Sequence, residues 1–129
     1  MNRYFQEVID AHHLISDVLG EHDVSGDKRL QLLARFNPAF TMVAPTGAIF
    51  DHQQLVDFFE QQQGSRPGLT ISLFDFILIA EDEKNTIVAY KERQDFPDKP
   101  SSLRYSTLVF AHEQGKLAWR HLHETFLPL

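Results

Sequence analysis

Glu92 and Glu124, two carboxyls on long strand-like runs, can move protons where a fold brings them into one pocket, and His12, Arg104 and Arg120 are partners that would set their charge there. A carboxyl withdrawn from water keeps its proton to higher pH, whereas one beside a guanidinium gives it up more readily. Two carboxyls in one pocket can therefore act as base and as neutral acid at the same pH. That combination suits abstraction of a proton from a carbon next to a carbonyl. His12 adds an imidazole that titrates near neutrality. Each residue also has a plainer reading: Glu124 as half of a structural ion pair with Arg104 or Arg120, Glu92 as a solvated charge near a strand end, and His12 as a hydrogen-bonded core residue.

Other chemistries are excluded or poorly supported. The chain has no cysteine, so it has neither a thiolate nucleophile nor a thiolate metal site. Its six glycines form no phosphate loop and no dinucleotide fingerprint, and Ser106 lacks the G-x-S-x-G elbow of a serine nucleophile. His121 and His123 stand two apart, a spacing that puts both on one strand face. Zinc needs at least a third ligand, and that face offers Tyr105, Trp119 and Thr125 but no acidic partner. No metal and no cofactor are expected.

The elements that must position these residues change period once. From Tyr4 to Leu19, Phe5, Val8, Ile9, Ile15 and Leu19 recur at helical spacing, and His12 falls on the same stripe. A second helix is predicted over Lys28 to Phe36, capped by Ser25 or Asp27 and ended by Asn37-Pro38. Phe40 to Val43 and Ala48 to Phe50 read as a small hairpin around Pro45-Thr46-Gly47. A third helix starts at the cap Asp51 and buries Leu55, Phe58 and Phe59. After Gly68 the pattern is strand throughout: Leu69 to Ala80, Thr86 to Phe96, Leu103 to His112 and Lys116 to Leu127. On the last of these, Trp119, His121, His123 and Thr125 share one face, and Arg120, Leu122, Glu124 and Phe126 the other. Helices followed by a four-stranded antiparallel meander make an α+β layout with helices on one side of a curved sheet.

The bulk properties agree with one soluble domain spanning 1–129. Hydrophobic residues are 43% and charged residues 23%, which excludes both disorder and a membrane-embedded chain. The formal charge of −6 argues against nucleic-acid binding. The first nineteen residues carry Glu7, Asp10 and Asp17 without a continuous apolar stretch, so neither a signal peptide nor an anchor is expected, and the cytoplasm is the default location.

The helix order, the short hairpin and the terminal run Gly115-Lys116 through His121, His123 and Glu124, backed by Ala89-Tyr90, resemble the nuclear transport factor 2-like superfamily across essentially the whole chain. The superfamily includes ketosteroid isomerase, the SnoaL polyketide cyclases, scytalone dehydratase and the association domain of calmodulin-dependent kinase. The resemblance implies a cystatin-like α+β barrel: a cone-shaped, curved antiparallel sheet with three N-terminal helices on its concave face, enclosing a pocket. It also implies a homodimer through the outer sheet face, where Tyr105, Val109, Trp119, His121 and His123 would make an aromatic patch too large to leave in water.

Pocket assignments depend on the last hairpin. With Glu113-Gln114 as a type I turn and Gly115 as a bulge, Leu108 opposes Arg120, Ser106 opposes Leu122 and Arg104 opposes Glu124; a two-residue turn at Gln114-Gly115 would instead set Leu108 against His121. Similarity to the kinase association domain favours the first register, because the positions matching Glu92, Leu108 and Glu124 line the pocket there. All three are arginines in that domain and bind carboxylates, a role that two Glu and a Leu do not inherit. The expected pocket combines Glu92, Glu124 and His12 with Arg104, Arg120 and Ser106, and with an apolar wall of Leu108, Leu122, Phe40, Phe50 and Phe59. The catalytic trio of ketosteroid isomerase has no counterpart. The resulting expectation is a protein for a small hydrophobic or carbonyl-containing molecule, working as an isomerase, cyclase or dehydratase, with a non-enzymatic binding or dimerisation module as the alternative.

Overall fold

The structure is a computed structural model and describes residues 2–20, 22, 23 and 25–129. Helix α1 (Arg3–Leu19) begins where the Asn2 side chain accepts the Tyr4 and Phe5 amides, satisfying two donors that a helix start leaves open. Its buried stripe includes Tyr4, Val8, Ala11, His12 and Leu19, so the periodicity that buries the apolar residues also carries His12 inside.

Helix α2 (Asp27–Leu33) is shorter than expected. Its cap is neither Ser25 nor Asp27 but Gly26, at φ 83°, and the buried Asp23 carboxylate accepts the Lys28 and Arg29 amides. Phe36, expected at the end of this helix, instead opens strand β1 (Phe36–Val43), because Pro38 disfavours helical backbone at Asn37. Strand β2 (Ile49–Asp51) pairs back on β1. Helix α3 (His52–Gln61) follows with a capping box, Asp51 and Gln54 each accepting the other's amide.

Strands β3 (Thr70–Glu81), β4 (Asn85–Asp95), β5 (Ser102–Glu113) and β6 (Lys116–Leu127) form the antiparallel meander. That meander leaves free edges at β3 and β6, and β1 takes the β6 edge in parallel. The result is a six-stranded sheet in the order β2-β1-β6-β5-β4-β3, mixed rather than antiparallel throughout. The helices close over its concave side around Val8, Leu32, Phe40, Val88, Leu108, Phe110 and Trp119, all essentially without solvent exposure.

Among the sheet's irregularities, two accompany residues at positive φ. In β3, Asp75 has φ 56° and the register against β4 slips between Phe74 and Ile77, a bulge that bends the strand. In the β5–β6 hairpin, Gln114 (φ 52°) and Gly115 (φ 80°) form a two-residue turn of the type I′ sign, with Glu113 opposite Lys116. The register then shifts across Arg120, the extra residue of a bulge. Beyond it Leu108 faces Leu122, Ser106 faces Glu124 and Arg104 faces Phe126. Neither hairpin register read from the sequence therefore holds along the whole strand. The bulge changes parity, so Trp119 on one side and Leu122 and Glu124 on the other all turn inward. Trp119 does not share the outer face with His121 and His123, as expected; it is 1% exposed, in the core. Among the described residues no helix is long and apolar enough to cross a membrane.

Candidate functional site

The inward side chains of β4, β5 and β6 line up in lateral rows. Val88, Leu108 and Leu122 form an apolar row, Tyr90, Ser106 and Glu124 the next, and Glu92, Arg104 and Phe126 the one after. A cavity of about 330 Å³ opens over the two polar rows, near the small end of ligand-binding pockets. Its walls are largely aromatic and aliphatic, from Phe36, Phe40, Phe59, Met42 and Leu122. Helix α1 contributes His12, and the segment between α3 and β3 contributes Arg66.

His12 is held at both ring nitrogens. Nδ1 lies 2.8 Å from the Val8 carbonyl oxygen and Nε2 lies 3.1 Å from Glu92 Oε1, the arrangement of an imidazolium donating twice. Burial opposes that charge, but the Glu92 carboxylate outweighs it and holds the His12 pKa above the usual 6.5. Burial likewise pushes Glu92 up, and is outweighed by the charge and hydrogen bond of His12, by Arg104, and by the Gln94 amide, which donates to Oε2 at 2.7 Å. Its pKa falls to about 2, so Glu92 is a fixed anion.

Glu124 behaves in the opposite way. Burial and then the negative charge of Glu92 raise its pKa, against the weaker pull of Arg104, His12 and Ser106. Its contacts are long: Arg104 Nη1 donates to Oε1 at 3.4 Å and Ser106 Oγ to Oε2 at 3.3 Å. One cavity thus holds a carboxyl clamped in its charged form and another with a raised affinity for a proton. Among the described residues, two polar atoms beside them lack partners. The Tyr90 hydroxyl is buried without a hydrogen bond, as is Arg104 Nε. Burial and the two carboxylates keep the Tyr90 phenol protonated well above pH 10.

Of the residues singled out from the sequence, His12, Glu92, Glu124, Arg104, Leu122, Phe40, Phe50 and Phe59 come together around this cavity. Ser106 lies beneath it and reaches it only through Glu124, while Leu108 is wholly buried in the core behind Leu122. Arg120 is not part of it. As the bulge residue it leaves the inward face, and its Nη1 donates to the Ala39 carbonyl at 2.6 Å. Tyr105, Val109, His121 and His123 stand on the outer face, with Thr41 Oγ1 2.8 Å from His121 Nδ1. Among the described residues no three His, Asp or Glu side chains gather as metal ligands. Several contributors escaped the sequence reading, Phe36, Met42 and Phe126 of the walls among them. Gln94 follows Glu92 by two on the same strand face, a spacing that could have revealed it. Trp119 was hidden by the bulge, and Arg66 sits in an irregular segment whose sequence carries no period.

No family model and no curated protein matches the chain. Among solved structures, a nuclear transport factor 2-like protein of unknown function from Pseudomonas aeruginosa is 36% identical, over 97% of this chain and 98% of its own, with a TM-score of 0.91. The association domain of CaMKII from C. elegans is 13% identical over 95% of each chain, with a TM-score of 0.72. A protein with a cystatin-like fold from Caulobacter vibrioides is 16% identical, over 96% of this chain and 87% of its own, with a TM-score of 0.71.

Proposed function

The chain belongs to the nuclear transport factor 2-like family, and on that footing we propose that it binds a small, largely apolar carbonyl compound and moves a proton on the carbon beside the carbonyl. The observation that carries this reading is the contrast between Glu92, held ionised, and Glu124, with its raised pKa, in one apolar cavity. Glu124 is the proton carrier. Its carboxylate takes the proton, the C–H electron pair becomes the new C–C π bond, and the carbonyl π pair moves onto oxygen as an enolate. Arg104, beside Glu124, supplies the cation that stabilises the enolate oxygen. The protonated Glu124 then returns its proton to the same carbon or to the far end of a conjugated system, which gives exchange or isomerisation. In the His12–Glu92 ion pair the carboxylate raises the Glu124 proton affinity more than the imidazolium lowers it, and so keeps Glu124 a strong enough base.

Small apolar ketones such as 4-phenylbutan-2-one, incubated with the protein in D2O and followed by proton NMR, test this. Catalysed loss of the protons next to the carbonyl is expected, reduced by about 100-fold or more in Glu124→Gln. Ketones that bind without exchanging would favour the second reading, a non-enzymatic binding module. One observation supports that alternative: both carboxyls already have partners within the protein, Glu92 in His12 and Gln94, Glu124 in Arg104 and Ser106. We further read residues 1–129 as one cytoplasmic domain that forms a homodimer through the outer sheet face, where Tyr105, Val109, His121 and His123 are continued by the exposed Phe74 and Ile77 of β3.

A further inference from the structure

The cavity collects more positive than negative charge. His12, Arg66 and Arg104 line it against Glu92 and Glu124. His12 and Glu92 cancel each other at 3.1 Å, and Arg104 has only its 3.4 Å contact with Glu124, with Nε buried and unpartnered. Arg66, half-buried, has no side-chain hydrogen bond or ion pair among the described residues, and its guanidinium rests 5.8 Å from the centre of the Phe58 ring. Burial, and then the like charge of Arg104, lower its pKa. Counting Glu124 as ionised leaves one positive charge uncompensated, and counting it as protonated leaves two, in a chain whose net charge is −6. The two arginines also mark one end of the cavity. Arg104 lies over the Phe126 ring at 5.4 Å, and Phe126 is 49% exposed, whereas Phe36 and Phe40 at the other end are buried.

We infer that the ligand is an acid, an apolar ring or short chain that carries a carboxylate in addition to the carbonyl proposed above, with that carboxylate held at the solvent-facing end of the cavity by Arg66 and by Arg104, whose remaining N–H donors also serve the enolate oxygen, and the apolar part directed toward Phe36 and Phe40. The resemblance to the kinase association domain implied no anion site, since the matching positions are Glu and Leu. Here the cations stand at other positions, Arg66 in a loop and Arg104 on β5 directly across from Glu92. A guanidinium offers paired donors to a carboxylate, and a partly desolvated pair of them binds it more strongly than either binds a neutral oxygen. This inference rests on the cavity being the ligand site, as proposed above, but not on any proton transfer within it.

Calorimetric titration with 3-phenylpropanoate and with its neutral isostere 4-phenylbutan-2-one tests it. The acid should bind at least about tenfold more tightly, with a preference that shrinks as salt is added. Arg66→Gln should abolish most of that preference, with an unchanged thermal midpoint showing that the variant is folded. Equal affinities in the wild type, no binding of the acid, or an Arg66→Gln variant that keeps the full preference would overturn the inference. Proton exchange is read separately: acid preference without exchange on the ketone removes the enzymatic reading alone, and exchange without acid preference removes only this one.

Discussion

His12 is a side chain whose loss leaves a charge stranded in the interior. With the imidazole gone, the Glu92 charge stays buried with only Gln94 and Arg104 near it, so His12→Leu is expected to lower stability by about 3 kcal/mol or more in urea unfolding, with His12→Leu/Glu92→Leu recovering much of that loss. The same pair sets a pH window. Glu92 has a folded pKa of about 2 against 4.5 when free, so its contribution is complete above about pH 4.5 and lost as the pH falls toward 2. His12 has a folded pKa above 6.5, so its contribution is complete below 6.5 and lost as the pH rises through the folded value. Wild-type unfolding midpoints should therefore be highest between about pH 4.5 and 6.5, and Glu92→Gln should lose the acid limb of that profile. His12 was legible in the sequence because helical periodicity puts it on a buried stripe. Glu92 came into view through resemblance rather than pattern. The proton affinity of Glu124 was not legible at all, because it depends on which charges three separate strands and a helix bring to it.

The terminal hairpin decides which residues face the cavity. Gly115 has φ 80° and open space where a Cβ would sit, so Gly115→Ala should cost about 1–2 kcal/mol through backbone strain alone, read as a lower thermal midpoint with the cavity unchanged. Trp119 packs against Phe36 and Phe110 and donates to Glu7 at 3.1 Å, so Trp119→Ala should destabilise the fold by about 3–5 kcal/mol rather than dissociate a dimer. Strand alternation predicted the extent of β6 correctly yet misplaced Trp119, because one inserted residue reverses the parity without leaving a mark in the apolar pattern. The meander was likewise legible from its turns. The parallel pairing of β1 with β6 was not, since it joins segments about eighty positions apart and no local signal encodes it.

Taken whole, the molecule presents one broad face to solvent. Phe74 and Ile77 are 37% and 50% exposed on the outer side of the edge strand β3, in line with Tyr105 and Thr107 beyond β4. Sedimentation at micromolar concentration should give a dimer, and Ile77→Lys should convert it to a monomer with the cavity intact. A monomeric wild type would remove that expectation. The sheet order has a further consequence for how the chain emerges from the ribosome. β1 and its partner β2 are made early, yet the strand that pairs Met42 with Leu122 is β6, translated last among the strands, and Glu124 arrives with it. The β1–β2 hairpin is therefore without its β6 neighbour while β3, β4 and β5 are being made, and the cavity around Glu124 is complete only when β6 docks, so order at the cavity reports on the completed sheet.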